Sequence, residues 1–294
     1  MGNIAGGRTA VTGEKGMYYF SDVLEEIENN LFGEIDYNDL ARKTGVSLYE
    51  FRRIFTFIAK VPIGEYVRKR RLSLAAAELR NGAGVTVTAL KCGYDSPSSF
   101  SRAFKEFHGV SPAEATKGEG NFKAFTRLTA EIVTNGALDI PYEIFNKGAF
   151  KIVGYGGVSK IDDKECCESV WNEFYSSSAA DKISLRSRIF AAYENGENGV
   201  GCVIGEETAK IGVGNDSEKG SAGCACAEIP ESKWAKFRLN STDDEIVDRF
   251  YGEVLLKWLS STNWRRRKGV AGVEVFPADM SEEGFEWEIW IPIE

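Results

Sequence analysis

The feature that most constrains this chain is a repeat. "SLYEFRRIF" at 47–55 and "SPSSFSRAF" at 96–104 both read S-x-x-x-F-x-R-x-F. Each follows a glycine turn, "LARKTGVS" in the first case and "ALKCGYDS" in the second, with Ala41 and Gly45 matched by Ala89 and Gly93. A small alanine lets two helices approach closely, glycine accepts the left-handed geometry of a tight turn, and a serine caps the next helix. Two units of helix, turn and helix follow from that pattern. Helical solenoids also repeat near this period, but they need about three copies or more, and only two are present.

Within each unit the two phenylalanines, four residues apart, face the core. The arginine between them, Arg53 or Arg102, lies roughly 200° away at about 100° per residue and must point outward. An outward arginine near a capped helix start is suited to entering a DNA major groove N-terminus first. Between the units lies "VPIGEYVRKRRLSLAAAELRNG". Pro62 can start a helix there, with Tyr66, Val67, Leu72, Ala75, Ala76 and Leu79 as its apolar stripe. Such a connector would hold two reading heads at a fixed separation, suited to successive major grooves about 34 Å apart. Its run Arg68-Lys69-Arg70-Arg71 is positive charge suited to phosphates.

Net charge over 294 residues is −8, which taken alone argues against a nucleic-acid partner. The average conceals a division. Residues 35–110 hold 13 lysines and arginines against 7 acidic residues, whereas 121–294 hold 20 against 29. A basic half joined to an acidic half implies a different partner for each.

The two halves also differ in pattern. Before about 113 the chain reads as helical, beginning with a helix capped by Ser21-Asp22 and carrying Val23, Leu24, Ile27 and Leu31. Beyond it come β-rich runs, "FKIVGYGGV", "SRIFAAY", "AGCACAEI", "KWAKFRL", "GVEVF" and "FEWEIWIPI", interrupted by helical stretches near 165–178 and 243–260. The expected organisation is a multidomain one, α and then α+β. A disordered segment spans 1–16, an all-α double helix-turn-helix domain 17–113, a linker 114–138 and an α+β domain 139–294.

Other chemistries find little support. The sequence shows neither a signal-peptide pattern nor an apolar run near the ~18 residues of a membrane helix, so a cytoplasmic protein with no membrane partner is expected. Six cysteines and one histidine, His108, make neither a disulfide framework nor a zinc set, so no metal or cofactor is expected. Buried reduced thiols are the simple reading, with a redox pair at Cys224 and Cys226 the other. The acidic half has no P-loop, nucleotide-binding glycine motif or nucleophile elbow, so no enzyme is expected. "GVGNDSEKG" at 212–220 reads as an exposed loop.

The segment from about 20 to 112 resembles the DNA-binding domain of the AraC/XylS family of bacterial transcription regulators. "CGYDSPSSFSRAFKEFHGVSP" carries most of the likeness. "VTVTAL" at 85–90 departs from the family pattern, with Thr88 where an acidic residue is usual. The resemblance implies that the first reading helix offers Tyr49, Arg52 and Arg53 to bases or nearby phosphates, and the second Pro97, Ser98, Ser101 and Arg102. Arg53 and Arg102 are the expected readers of base edges, most simply of guanine. Lys105, Arg68 and Arg70 are assigned to the backbone.

In the acidic half, alternation places Phe285, Trp287, Ile289 and Ile291 on one face of the last strand and Glu286, Glu288 and Trp290 on the other. In "GVEVF", Glu274 and Phe276 share a face. Aromatic rings beside carboxylates suit an organic cation, although glutamates on a wet sheet face show the same pattern. Residues 139–294 resemble the GyrI-like effector-binding domain through "IPYEIFNKGAFKIVGYGGVSK", "IPESKWAKFRLNST" and "GVEVFP…EGFEWEIWIPI". That resemblance implies a pseudo-twofold antiparallel-sheet fold around a groove and assigns cation recognition to Glu274. Glu288 and Trp290 are further ligand candidates, with Trp171, Tyr193 and Trp258 lining the groove.

The expectation is a DNA-binding transcription regulator, an activator, acting on double-stranded DNA and RNA polymerase as a monomer or dimer. Its acidic domain would sense a small cationic or amphipathic molecule. A protein-interaction module or a small-molecule hydrolase in the C-terminal half are the alternatives.

Overall fold

A computed structural model of the chain describes residues 20–128, 139–160, 167–177, 188–196, 199–208, 224–277, 279–280 and 284–294. The expected disorder at 1–16, the redox side chain of Cys224 and the loop 212–220 lie outside what is described.

Among the described residues seven helices come first: α1 (Phe20–Asn29), α2 (Tyr37–Thr44), α3 (Leu48–Ala59), α4 (Ile63–Arg80), α5 (Val85–Lys91), α6 (Pro97–His108) and α7 (Pro112–Thr116). Each turn of the repeat is built as its residues dictate. Gly45 and Gly93 take φ of 78° and 82°, left-handed values that favour glycine. Ser47 and Ser96 then accept the Glu50 and Ser99 amides, satisfying donors at the starts of α3 and α6. Helix α1 departs from expectation: it already includes Phe20, so Ser21 and Asp22 sit in its first turn, and buried Phe20 anchors it by packing.

Helix α4 joins two cores. Tyr66 and Val67 belong to the first, with Phe51 and Phe55; Leu72, Ala75, Ala76 and Leu79 belong to the second, with Phe100 and Phe104. The chain after α7 runs back along α4. The Phe125 amide donates to Ser73 Oγ at 3.1 Å and the Leu128 amide to the Tyr66 hydroxyl at 3.2 Å.

Eight strands among the described residues form one antiparallel sheet: β1 (Glu143–Lys147), β2 (Phe150–Lys160), β3 (Ile189–Gly196), β4 (Gly199–Thr208), β5 (Cys224–Ile229), β6 (Ser232–Leu239), β7 (Gly272–Phe276) and β8 (Trp287–Ile293). Helix α8 (Glu168–Ser176) follows β2. Helix α9 (Asp244–Glu253) follows β6 and runs on through a π turn, Val254–Trp258. Spatial order is β1-β6-β8-β7-β3-β4-β2-β5. Advancing every strand by four places reverses that order, so the sheet has two equivalent halves meeting between β3 and β7.

One face, with Tyr193, Ile204, Phe237, Ile289 and Ile291, packs under α8 and α9. The other carries a separate cluster containing Phe150, Phe190, Trp234, Val273 and Trp290. The helix-covered face shares a continuous core with α1–α3. The two halves of the chain are packed together.

Candidate functional site

The centre of that shared core is a carboxylate. Glu274, on β7, is 3% exposed and its strand partners place it on the helix-covered face. Three tyrosines donate hydroxyls to it: Tyr193 from β3 at 2.6 Å, Tyr251 from α9 at 2.9 Å, and Tyr49 from α3 at 2.8 Å. Tyr49 stacks face to face on Tyr193, ring centroids 3.8 Å apart, and meets the edge of Tyr251 at 5.5 Å. The first reading helix of the N-terminal half therefore reaches into the site on the C-terminal half.

Burial sets the electrostatics. It pushes the Glu274 carboxyl above its ordinary range, with the tyrosine hydrogen bonds and Arg53 pulling the other way. Burial, and then the Glu274 charge, pushes Tyr193 and Tyr251 well above the usual phenol value, so both remain donors.

One turn further along α3, Arg53 continues the contact. Its Nη1 lies 2.5 Å from Asp244 and 2.9 Å from Asp248 on α9. Its Nε and Nη2 donate to the Tyr49 hydroxyl at 3.3 Å, and its guanidinium sits 5.3 Å from the Tyr49 ring. Desolvation raises the Asp248 carboxyl, against the pull of Arg53. Arg52 donates to Ser159 at 3.3 Å, and the Leu48 amide to Asn195 at 2.8 Å. Phe57 lies on the bare backbone of Gly252, where an added Cβ would sit 2.3 Å from the ring. Glu50 and Arg266 form a buried ion pair at 2.6 Å, although the Arg266 N–H is not aligned on the oxygen.

This corrects the expectation for three residues. Tyr49, Arg52 and Arg53 do face away from the core of their own unit, but they are buried, because the C-terminal sheet and α9 cover that face. The second unit differs. On α6, Pro97, Ser98, Arg102 and Lys105 are exposed, and half-buried Ser101 donates to the Pro97 carbonyl at 2.7 Å. In the connector run Arg68 is exposed, whereas Lys69 pairs with Glu65 at 2.6 Å. Arg70 is corrected too: it is held by Glu28 at 2.8 Å and by the Phe125 carbonyl, so it fastens the helices together rather than facing outward. Arg71 donates to the Leu31 and Gly33 carbonyls.

The ligand candidates divide. Tyr193 meets Glu274, and Trp171 packs on Phe276 at 5.0 Å on the same face. Trp258 packs instead on Phe237 and Tyr142. Glu288 and Trp290 lie on the opposite face, bonded to each other at 2.8 Å, with Glu288 paired to Arg188. That is a correction: they cannot share a pocket with Glu274. Tyr251, Asp244 and Asp248 were not singled out by sequence. Among the described residues no cluster suits a metal ion, and no helix is long and apolar enough to cross a membrane.

A duplicated helix-turn-helix followed by a two-halved sheet with a buried carboxylate defines a class: a regulator that joins a DNA-binding reader to an effector-binding domain. Comparison with known proteins agrees. A helix-turn-helix domain model matches residues 40–118, and a model described as integron-associated effector binding protein matches 143–293. The transcriptional activator AarP of Providencia stuartii is 38% identical over 94 residues, 32% of this chain and 70% of AarP. The Tn10 TetD protein of Escherichia coli is 40% identical over 93 residues, 31% of this chain and 67% of that protein. An integron cassette protein of Vibrio cholerae, of known structure, is 15% identical, covering 52% of this chain and 95% of that one with a TM-score of 0.37. The chain belongs to the AraC-type helix-turn-helix regulators and carries a C-terminal effector-binding domain of the integron-associated, GyrI-like family.

Proposed function

We propose that the protein is a sequence-specific transcription activator whose C-terminal domain senses a small cationic or amphipathic molecule at Glu274. Helix α6 reads one major-groove segment through Arg102, with Ser98, Ser101 and Pro97 near the bases and Lys105 and Arg68 on phosphates. Tyr49, Arg52 and Arg53 on α3 would read the next segment when free of the C-terminal domain. An activator role draws support from the name of the relative AarP, and it implies RNA polymerase as a partner. One chain supplies both reading helices, so a monomer suffices on DNA; the cytoplasm is the expected location.

The observation that carries this reading is the combination, in one chain, of an exposed, serine-capped α6 bearing Arg102 and a buried acidic site ringed by tyrosines. The test is selection of duplexes from a random pool by the intact protein, followed by melting with a panel of lipophilic cations. The reading requires one enriched duplex sequence and a thermal shift that disappears in Glu274→Gln. Absence of any enriched sequence would refute the DNA-binding part.

A further inference from the structure

The Glu274 site is already filled. Tyr49 supplies a ring stacked on Tyr193 and a hydroxyl on the carboxylate; Arg53 supplies a cation between Asp244 and Asp248. Both belong to the helix that the repeat marks as a DNA reader, and both are buried where they stand. Arg53 cannot touch a base edge while its guanidinium lies against α9, and a molecule stacked on Tyr193 at Glu274 cannot share that space with the Tyr49 ring.

We propose that the Tyr49–Arg53 segment of α3 is an internal ligand of the effector site, so that effector and the first reading helix compete for the same groups. In this closed state, of the pair α3 and α6, it is α6 that faces outward. An effector that occupies Glu274 evicts Tyr49, frees α3, and converts a one-headed reader into a two-headed one. In the closed state DNA is held through α6 alone, so opening the contact strengthens binding by adding the contacts of α3, and a ligand that favours the open state shifts the population toward it. This rests on the sensing role of Glu274 proposed above, and it adds the regulation: the C-terminal domain inhibits by holding the reading helix.

Two kinds of variant open the contact without altering any residue of α3. Gly252→Ala brings a Cβ to 2.3 Å from Phe57, and in a helix alanine is itself favoured over glycine, so folding of α9 is not at risk. The pair Asp244→Asn with Asp248→Asn removes the charges facing Arg53. In the intact protein, hydroxyl-radical oxidation of Tyr49, read by mass spectrometry, should rise at least about fivefold in both. Affinity for a duplex selected by Gly252→Ala should exceed that of the wild type by about tenfold or more in both. Unchanged Tyr49 oxidation in Gly252→Ala, with the thermal transition retained, overturns the proposal; so does increased oxidation with unchanged or weaker DNA affinity. Should the wild type select no duplex at all, the DNA-binding reading fails, while Tyr49 oxidation still decides whether the helix is held.

Discussion

The hydroxyl of Tyr49 lies 2.8 Å from the carboxylate of Glu274, a residue 225 positions away in the other half of the chain. This contact places α3 inside the buried site of the C-terminal domain, and the expected behaviour of several variants follows from it.

Arg53 and Asp248 are each about nine-tenths buried in their pair. Removing one partner leaves the other buried and uncompensated, a change that costs about 3–5 kcal/mol when the structure cannot open. Here the domains can separate and rehydrate Asp248, so the loss in Arg53→Met should stop at the free energy of docking. Scanning calorimetry should show one cooperative transition in the wild type and two in the variant. A single unshifted transition would contradict a docked Arg53.

Glu274 supplies a pH dependence whose sign is fixed. Its carboxyl is raised by burial, so its contribution to stability is present below the ordinary carboxylate value and is lost as pH rises through the raised one. Denaturation midpoints of wild type and Glu274→Gln, compared upward from pH of about 4.5, should converge or cross in the variant's favour. A growing wild-type advantage with rising pH would contradict this account of the site.

His108 supplies the opposite dependence. It is the sole histidine, with Nε2 3.0 Å from the Leu72 carbonyl and Nδ1 accepting the Lys123 amide at 3.2 Å. That geometry needs the neutral ring, and burial lowers its pKa below the ordinary imidazole value of 6.5. Stability is therefore present above that value and lost as pH falls through the lowered one. Exchange of the Lys123 amide should quicken relative to neighbouring amides as pH falls below 6.5, and its resonance should move with the ring titration.

On the exposed helix, Arg102→Ala should cost about 1–3 kcal/mol of specific binding and relax preference at one base pair. Lys105→Ala should weaken binding to all sequences alike and reduce the salt slope by about 1. Titrations of a selected duplex and of point variants of it, at several salt concentrations, separate the two outcomes.

How much of this was legible in the sequence depends on the range of the interaction. The repeat, its glycine turns and serine caps are local, and Phe51, Phe55, Phe100 and Phe104 are buried as their spacing requires. Alternation sorted residues by face only within each strand; that Glu274 faces away from Trp290 depends on the register of β7 against β8, Val273 opposite Trp290, so Trp290 and Glu288 were grouped with Glu274 wrongly. Strand β4 escaped notice because Gly199, Gly201 and Gly205 dilute its pattern. A Cβ at Gly205 would sit 2.0 Å from the Val153 carbonyl oxygen, so close strand approach demands the bare residue there. Tyr251 looked like an ordinary helix residue. The outward direction of Arg53 followed from helical geometry, but its burial comes from α9, more than 190 residues away, and no local pattern reports it.

The most direct test of the whole account is the cleavage footprint on a selected duplex at matched occupancy. The effector-free wild type should protect one major-groove segment, that of α6. Gly252→Ala should protect two, about 10 base pairs apart on one face of the duplex. Two protected segments in the effector-free wild type, or one in the variant, would contradict a reading helix held by the effector site.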